Sequence, residues 1–148
     1  MPTSPIAQLL IAFVVSGVLL AAWKGGKAER LAAVVVATNM ILGLATSQLA
    51  PDFEGMVRFA NDGFAAVALL AITLIYGAPW MGGVMLFYAA QFSLHSYYLV
   101  TNRSNDDYLH AAINNINFSG IIWCLIIGTA VAWRRRVKAA RASAASRD

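Results

Sequence analysis

The sequence is poor in charge, since only 12% of its 148 residues are charged while 59% are hydrophobic. Soluble domains carry roughly a quarter charged residues, so this composition excludes an ordinary soluble domain and indicates a membrane protein. The net charge of +4 raises the question of nucleic acid. The basic residues lie at the ends of apolar runs and not along one soluble face, so no nucleic-acid partner is expected.

The residues that most often carry chemistry are also scarce. The single cysteine, Cys124, falls inside an apolar run, which excludes an intrachain disulfide framework and a thiolate metal cluster. There is no Ser-His-Asp arrangement, paired acid or Gly-rich phosphate loop, and no carboxylate is expected inside a predicted span, beyond the acids at the starts of the third and fifth. We therefore predict neither an enzyme nor a metal or cofactor site. The missing membrane acid also argues against a proton-coupled transporter.

What is present is a succession of apolar runs, which predicts an all-α polytopic membrane bundle of five transmembrane helices. At about 1.5 Å per residue, such runs approach the roughly 30 Å thickness of the hydrocarbon core. The helices are predicted at about 6–23, 31–49, 62–76, 84–100 and 107–133. Residues 1–133 then form one transmembrane domain, followed by a basic tail at 134–148. Because the third run is short, spans three and four are alternatively a re-entrant hairpin.

Charges in the connections predict the orientation. The start of the chain has no basic side chain before its apolar run, so we expect a retained first helix and not a cleaved signal. The loop at 24–30 and the tail are basic, and basic segments stay cytoplasmic. The N-terminus is therefore predicted outside and the C-terminus inside, in a bacterial inner membrane. The tail is predicted to anchor to anionic head groups, at about 1 kcal/mol per basic residue, through Arg134, Arg135, Arg136 and Lys138.

Two helix starts carry capping signals. Asn61 and Asp62 end an acidic connection and are predicted to cap the third helix, because their side-chain oxygens accept from free backbone N–H groups. Ser104 and Asp107 have the S-x-x-D spacing of a capping box at the start of the fifth helix.

The fourth and fifth helices carry matched polar stripes on either side of a short turn. If that turn is centred between Asn102 and Arg103, residues equidistant from it lie at equal depth, and the spacings i, i+3, i+7 and i, i+4, i+7 give each helix one stripe. We call this set the polar ladder. Its pairs are His95 with His110, Gln91 with Asn114, and Tyr88 with Asn117. The small residues Gly120, Cys124 and Gly128 continue the second stripe inward.

The ladder supports two interpretations. In the first, its amides join helices, each bond contributing about 0.6 to 2 kcal/mol, and the glycines permit close approach. In the second, the ladder lines a polar cavity in which the histidines take up protons, bind a metal or hold a cofactor. Asn39, in the middle of the second helix, is expected to bond to polar residues of helix five.

A haem b held by the two histidines is an alternative that fits their residue type. Neighbouring helices pack only about 8 to 10 Å apart, which leaves little room for an iron between His95 and His110, although one histidine from each of two subunits could ligate it. Zinc would need further ligands, and the only nearby acids are Asp106 and Asp107.

The absence of catalytic chemistry favours a non-catalytic structural or accessory subunit of a membrane assembly. Its expected partners are other membrane subunits or further copies of the chain. Two alternatives remain: a phage holin-like or other pore protein, and a redox subunit that handles haem or protons through His95 and His110.

Overall fold

The structure, a computed structural model, describes residues 5–49, 53–103 and 107–146. This part of the chain forms helices and no strands, so the prediction of an all-α bundle is confirmed. The five helices are α1 (Pro5–Lys24), α2 (Lys27–Leu49), α3 (Glu54–Tyr76), α4 (Met81–Val100) and α5 (Tyr108–Ala145). Each packs against the next in sequence, and α5 closes the ring against α1 while also touching α2.

Short connections make successive helices antiparallel, so the bundle has two distinct ends. The starts of α1, α3 and α5 and the ends of α2 and α4 lie at what we call the N-terminal end. The α1–α2 turn, the α3–α4 turn and the last part of α5 lie at the opposite end. Three helices, α2, α3 and α5, are long and apolar enough to cross a membrane, and α1 contains a shorter apolar stretch at Gln8–Lys24. Large apolar side chains such as Leu74 and Leu86 are exposed on the outer surface, as lipid contact requires.

Helix α3 begins at Glu54, well before the predicted start at 62. The prediction that Asn61 and Asp62 cap this helix is therefore wrong, because both lie inside it. Glu54 contributes an acidic first turn, which the helix dipole favours, and accepts a hydrogen bond of 2.7 Å from Arg58 Nε one turn later. Glu54 and Arg58, whose charges suggested a loop, therefore pair with each other within a helix. A carboxylate, Asp62, consequently lies inside a candidate span, where we expected none.

Helix α5 also departs from its predicted limits. Asp107 is itself the N-cap residue, and its carboxylate accepts from the Leu109 amide at 3.1 Å, while Ser104 lies outside the described residues. The helix continues through the basic segment to Ala145, past the predicted end at 133. Alanine and arginine are among the strongest helix formers, so this segment has no local reason to stop at the membrane surface.

The interior near the opposite end is filled by apolar side chains, among them Leu69, Met81, Ile121 and Leu125, each no more than 1% exposed. Helices α4 and α5 approach closely there. The Trp80 ring lies against Gly128, and the Phe87 ring lies against Gly120, so an added Cβ at either glycine would overlap the ring. The small residues of the ladder's second stripe thus make room for aromatic rings from α4 and the turn before it.

Replacing Gly128 with alanine is expected to destabilise the bundle by about 1 to 3 kcal/mol, because the added methyl group overlaps the Trp80 ring. Gly43→Ala is the matched control, since a Cβ there meets nothing within 4 Å. Both changes share the roughly 1 kcal/mol gain in helix propensity, so their difference isolates the packing cost. Thermal unfolding in detergent should give a lower midpoint for Gly128→Ala than for Gly43→Ala. Equal midpoints would contradict the packing.

Candidate functional site

A carboxylate and an imidazole meet in the polar half of the bundle. Asp62 on α3 lies with its Oδ2 2.6 Å from His95 Nδ1 on α4, and Asn39 on α2 donates from Nδ2 to Asp62 Oδ1 at 3.0 Å. The exposed fractions are 3% for Asp62, 4% for His95 and 5% for Asn39. We call these three residues the Asp62 cluster. It joins three helices through one acid.

A second contact ties α2 to α3 beside the cluster. The Asn61 side-chain amide donates to the Asn39 backbone carbonyl at 2.9 Å. The expectation that Asn39 bonds to helix five is therefore wrong, because its amide faces α3. Helix α2 has few contacts with α5 and an extensive one with α3, which decides the partner.

Asp62 is the residue of this candidate site that was not predicted from the sequence. The signal that could have found it is helical periodicity. On α3 the buried positions are Asp62, Ala65, Leu69 and Ile72, at the spacing of a single helix face. Asp62 heads this stripe, so extending the apolar period backward by one turn would have put its carboxylate inside the bundle.

Two pairs of the polar ladder are in contact. The His95 and His110 rings have centroids 5.2 Å apart and are tilted by 45°, and Gln91 Nε2 donates to Asn114 Oδ1 at 3.1 Å. The third pair is buried, with Tyr88 fully enclosed and Asn117 7% exposed. Within the described part of the chain, the Tyr88 hydroxyl and the Asn117 Nδ2 have no hydrogen-bond partner.

The polar contacts continue from the ladder to the α4–α5 turn. The Tyr98 ring lies 4.6 Å from His110 between centroids, and its hydroxyl donates to Asp107 Oδ2 at 2.7 Å. Hydrogen bonds from the Tyr98 hydroxyl and the Leu109 amide lower the pKa of Asp107 below its ordinary value. A series of titratable side chains therefore runs from the interior to the turn. We call it the titratable series: Asp62, His95, His110, Tyr98 and Asp107.

A cavity of about 440 Å³ lies beside the Asp62 cluster, and all five helices contribute to its lining. One side is polar, with Asn61, Gln91 and Asn114 next to the cluster. The other side is apolar and comes mainly from α1 and α2, as Leu10, Ile11, Val14, Met40 and Leu44. We call this space the central cavity. Gln91 is 4% exposed, and in the described structure its Oε1 atom has no hydrogen-bond partner.

Burial constrains the charge of the Asp62 cluster. An isolated charge in low dielectric is costly, and a buried carboxylate is tolerated when a partner compensates its charge and donors bond to its oxygens. His95 Nδ1 and Asn39 Nδ2 are the atoms that approach the two oxygens of Asp62.

The geometry around His95 and His110 does not favour the binding of a metal ion or a haem. Among residues 5–49, 53–103 and 107–146, no group of three or more His, Cys, Asp or Glu side chains could hold a metal ion. A porphyrin between His95 and His110 would require the two rings, now 5.2 Å apart, to separate. It would also have to leave His95 Nδ1 with its Asp62 contact of 2.6 Å.

The basic residues predicted to anchor the tail lie exposed on the last part of α5. The Arg136 guanidinium donates to the Lys24 backbone carbonyl, which ties α5 to the α1–α2 turn. The Lys24 ammonium lies 3.9 Å from the centroid of the Trp23 ring and 5.1 Å from that of Trp133. Basic and aromatic side chains thus gather at the opposite end of the bundle, away from the Asp62 cluster.

Comparison with known proteins identifies no relative, since no family model, curated protein or solved structure matches the chain.

Replacing Asp62 with alanine is expected to destabilise the protein by about 3 to 5 kcal/mol, because Asn39 and His95 lose a buried partner. Glu54→Ala on the same helix is the matched control. Its ion pair with Arg58 is partly exposed, with side-chain exposures of 25% and 22%, so its loss should cost about 0 to 1 kcal/mol. Equilibrium unfolding in mixed micelles measures both. Similar small losses for the two variants would show that the Asp62 contacts contribute little.

Proposed function

We propose that this protein is a small five-span membrane protein in which the Asp62 cluster takes up and releases a proton, as a non-catalytic, proton-handling subunit of a larger assembly. The observation that carries the proposal is the 2.6 Å contact between Asp62 Oδ2 and His95 Nδ1 inside the bundle. An ionisable residue within a membrane bundle is costly and marks a functional site by default. Histidine is the side chain whose charge changes most readily near neutral pH.

Helix packing alone does not require this acid. The hydrogen bond from Gln91 to Asn114 already joins α4 to α5 without any charge. Replacing a buried ion pair with apolar residues is often neutral or stabilising, so stability is a weak reason to keep one. An amide at position 62 could bond to Asn39 at lower desolvation cost. The carboxylate adds the ability to titrate, which supports the proton-handling interpretation over interhelical joining.

The titratable series supports a route between the cluster and water. It passes from His95 through His110 and Tyr98 to Asp107, whose carboxylate lies in the α4–α5 connection. The contacts from His95 to His110 and from His110 to Tyr98 are ring contacts, so proton transfer across each of them needs a water molecule or a ring rotation. The central cavity, which His95 lines, supplies space for a water molecule beside the His95 ring.

The apolar half of the bundle supports a subunit role over a pore. The interior between the Asp62 cluster and the basic end contains the apolar side chains of Leu69, Met81, Ile121 and Leu125. One copy of the chain therefore offers no continuous polar path between its two ends across the described residues. A proton taken up at Asp62 returns to the same end or passes to a partner, which is another membrane subunit or a second copy.

The two histidines make proton uptake directly measurable. Protein labelled with ¹⁵N-histidine in lipid nanodiscs is followed from pH 5 to 9, and His110→Gln assigns the His95 ring. The expected result is reversible protonation of His95 with a midpoint that changes in Asp62→Asn. Glu29→Gln, an acid-to-amide change at the α1–α2 turn, should leave the midpoint unchanged. A His95 ring that keeps one protonation state over the whole range overturns the proposal.

The proposed topology has five spans, with the N-terminus outside, the C-terminus inside and nine of the eleven Lys and Arg residues on the cytoplasmic side of a bacterial inner membrane. Single cysteines are introduced into a Cys124→Ala background at Lys27, Pro79 and Arg103, one in each turn. An impermeant maleimide should label Arg103→Cys in intact cells, and Lys27→Cys and Pro79→Cys only after permeabilisation. Protection of Pro79→Cys in both conditions would favour the re-entrant hairpin.

A further inference from the structure

We propose that the central cavity binds an amphiphilic organic ammonium ion, whose charged group contacts the Asp62 carboxylate and displaces the proton held by the Asp62 cluster. The inference rests on the proposed function, because both use the same carboxylate. It adds the chemical class of ligand and the rule that ligand and proton exclude one another.

The cavity has the size and lining of a small-molecule site. Its volume of about 440 Å³ lies within the roughly 300 to 1,000 Å³ of ligand pockets, which are mostly apolar with a few convergent polar groups. The polar groups converge on Asp62, and the apolar side from α1 and α2 faces them. A bare metal ion would leave most of this volume and the whole apolar side unused. An organic cation with a short alkyl chain would fill the volume and contact the apolar side.

The acceptors in the cavity suit the N–H donors of an ammonium group. Gln91 is nearly fully buried and lines the cavity, and its Oε1 atom has no partner among the described residues. Among the residues that the structure describes, each carboxylate oxygen of Asp62 has one polar contact, with Asn39 or His95, whereas an ionised carboxylate offers about four lone-pair positions. Asp62 and Gln91 therefore retain acceptor capacity for a ligand with several donors.

The charges around Asp62 determine the coupling. Helices α1 and α2 contribute no titratable side chain to the cavity lining. Arg58 on α3 lines the cavity but is paired with Glu54. On α4, His95 contacts Asp62, and Tyr88 is close enough for a coulombic interaction with the Asp62 carboxylate. On α5, the His110 ring lies beside the His95 ring.

With His95 protonated the Asp62 cluster is neutral, so an added cation would leave one uncompensated positive charge in low dielectric. Release of the His95 proton restores neutrality. Cation binding is therefore expected to release about one proton. By linkage, the affinity for the cation then rises about tenfold per pH unit wherever His95 is protonated in the free protein.

The test is titration calorimetry on the full chain in nanodiscs, with hexylammonium as the probe and hexanol as its uncharged match. Alkylammonium groups resemble the lysine side chain, whose pKa is about 10.4, so the probe stays charged from pH 6 to 8. Saturable hexylammonium binding that tightens about tenfold per pH unit is expected, with no saturable binding of hexanol. Repeating the titration in buffers of different ionisation enthalpy measures the number of protons released on binding.

Two pairs of variants separate the carboxylate from the cavity. Asp62→Asn should weaken hexylammonium binding more than tenfold. Glu29→Gln should not, because Glu29 is bonded to the Gly26 amide at the α1–α2 turn and is not part of the cavity lining. Gly43 lines the cavity and an added Cβ there meets nothing within 4 Å, so Gly43→Leu should fill the space and weaken binding while leaving the Asp62 cluster intact. Gly82→Leu is the control, since Gly82 is exposed and also free of contacts.

The outcomes distinguish this inference from the proposed function. No saturable hexylammonium binding, or equal binding by Asp62→Asn, overturns the ammonium site even if the His95 ring titrates. Sodium binding that depends on Asp62, without hexylammonium binding, also overturns it. Hexylammonium binding that is independent of pH and releases no proton overturns the exclusion rule. Loss of binding in Asp62→Asn and Gly43→Leu, with both controls retained, supports the inference.

Discussion

The contact between Asp62 and His95 imposes the constraint on which this bundle depends. An acid placed among apolar helices needs a partner for its charge and donors for its oxygens. His95 and Asn39 supply both, and they come from α4 and α2, on the two sides of α3. The positions of three helices relative to one another are thus tied to one carboxylate. Helix α5 joins the same region through the contact between the His110 and His95 rings.

The interior is divided into a polar and an apolar half by the same helices. Toward the opposite end, Gly120 and Gly128 let α4 and α5 approach with the Phe87 and Trp80 rings packed against the glycines. Toward the N-terminal end, amide and imidazole side chains meet by hydrogen bonds and leave the central cavity open. Close packing and an open polar site therefore lie in series along one bundle. This arrangement is suited to a site that communicates with one end.

The opposite end of the bundle carries basic and aromatic side chains. Lys24, Trp23 and Trp133 place a cation and aromatic rings at one level, as is typical of the boundary between lipid and water. Arg136 ties the long α5 helix to the α1–α2 turn at that level. The basic helical extension beyond it is exposed, in keeping with an anionic surface nearby. Separation of this positive end from Asp62 keeps the acid without a competing basic partner from the tail.

The sequence by itself determined the helical class, the succession of helices and two contacts of the ladder. The pairing of His95 with His110 and of Gln91 with Asn114 follows from a single turn, because antiparallel helices with a common rise bring equidistant residues to the same depth. The burial of Asp62 could not be predicted from the position of a turn. Asn61 and Asp62 before an apolar run carry the local signal of a cap, and local signals compete with packing. Only the tertiary structure brings Asn39 and His95 to the carboxylate, and only these partners make its burial tolerable. The start of α3, the partner of Asn39 and the existence of the central cavity were therefore decided by contacts between helices distant in sequence.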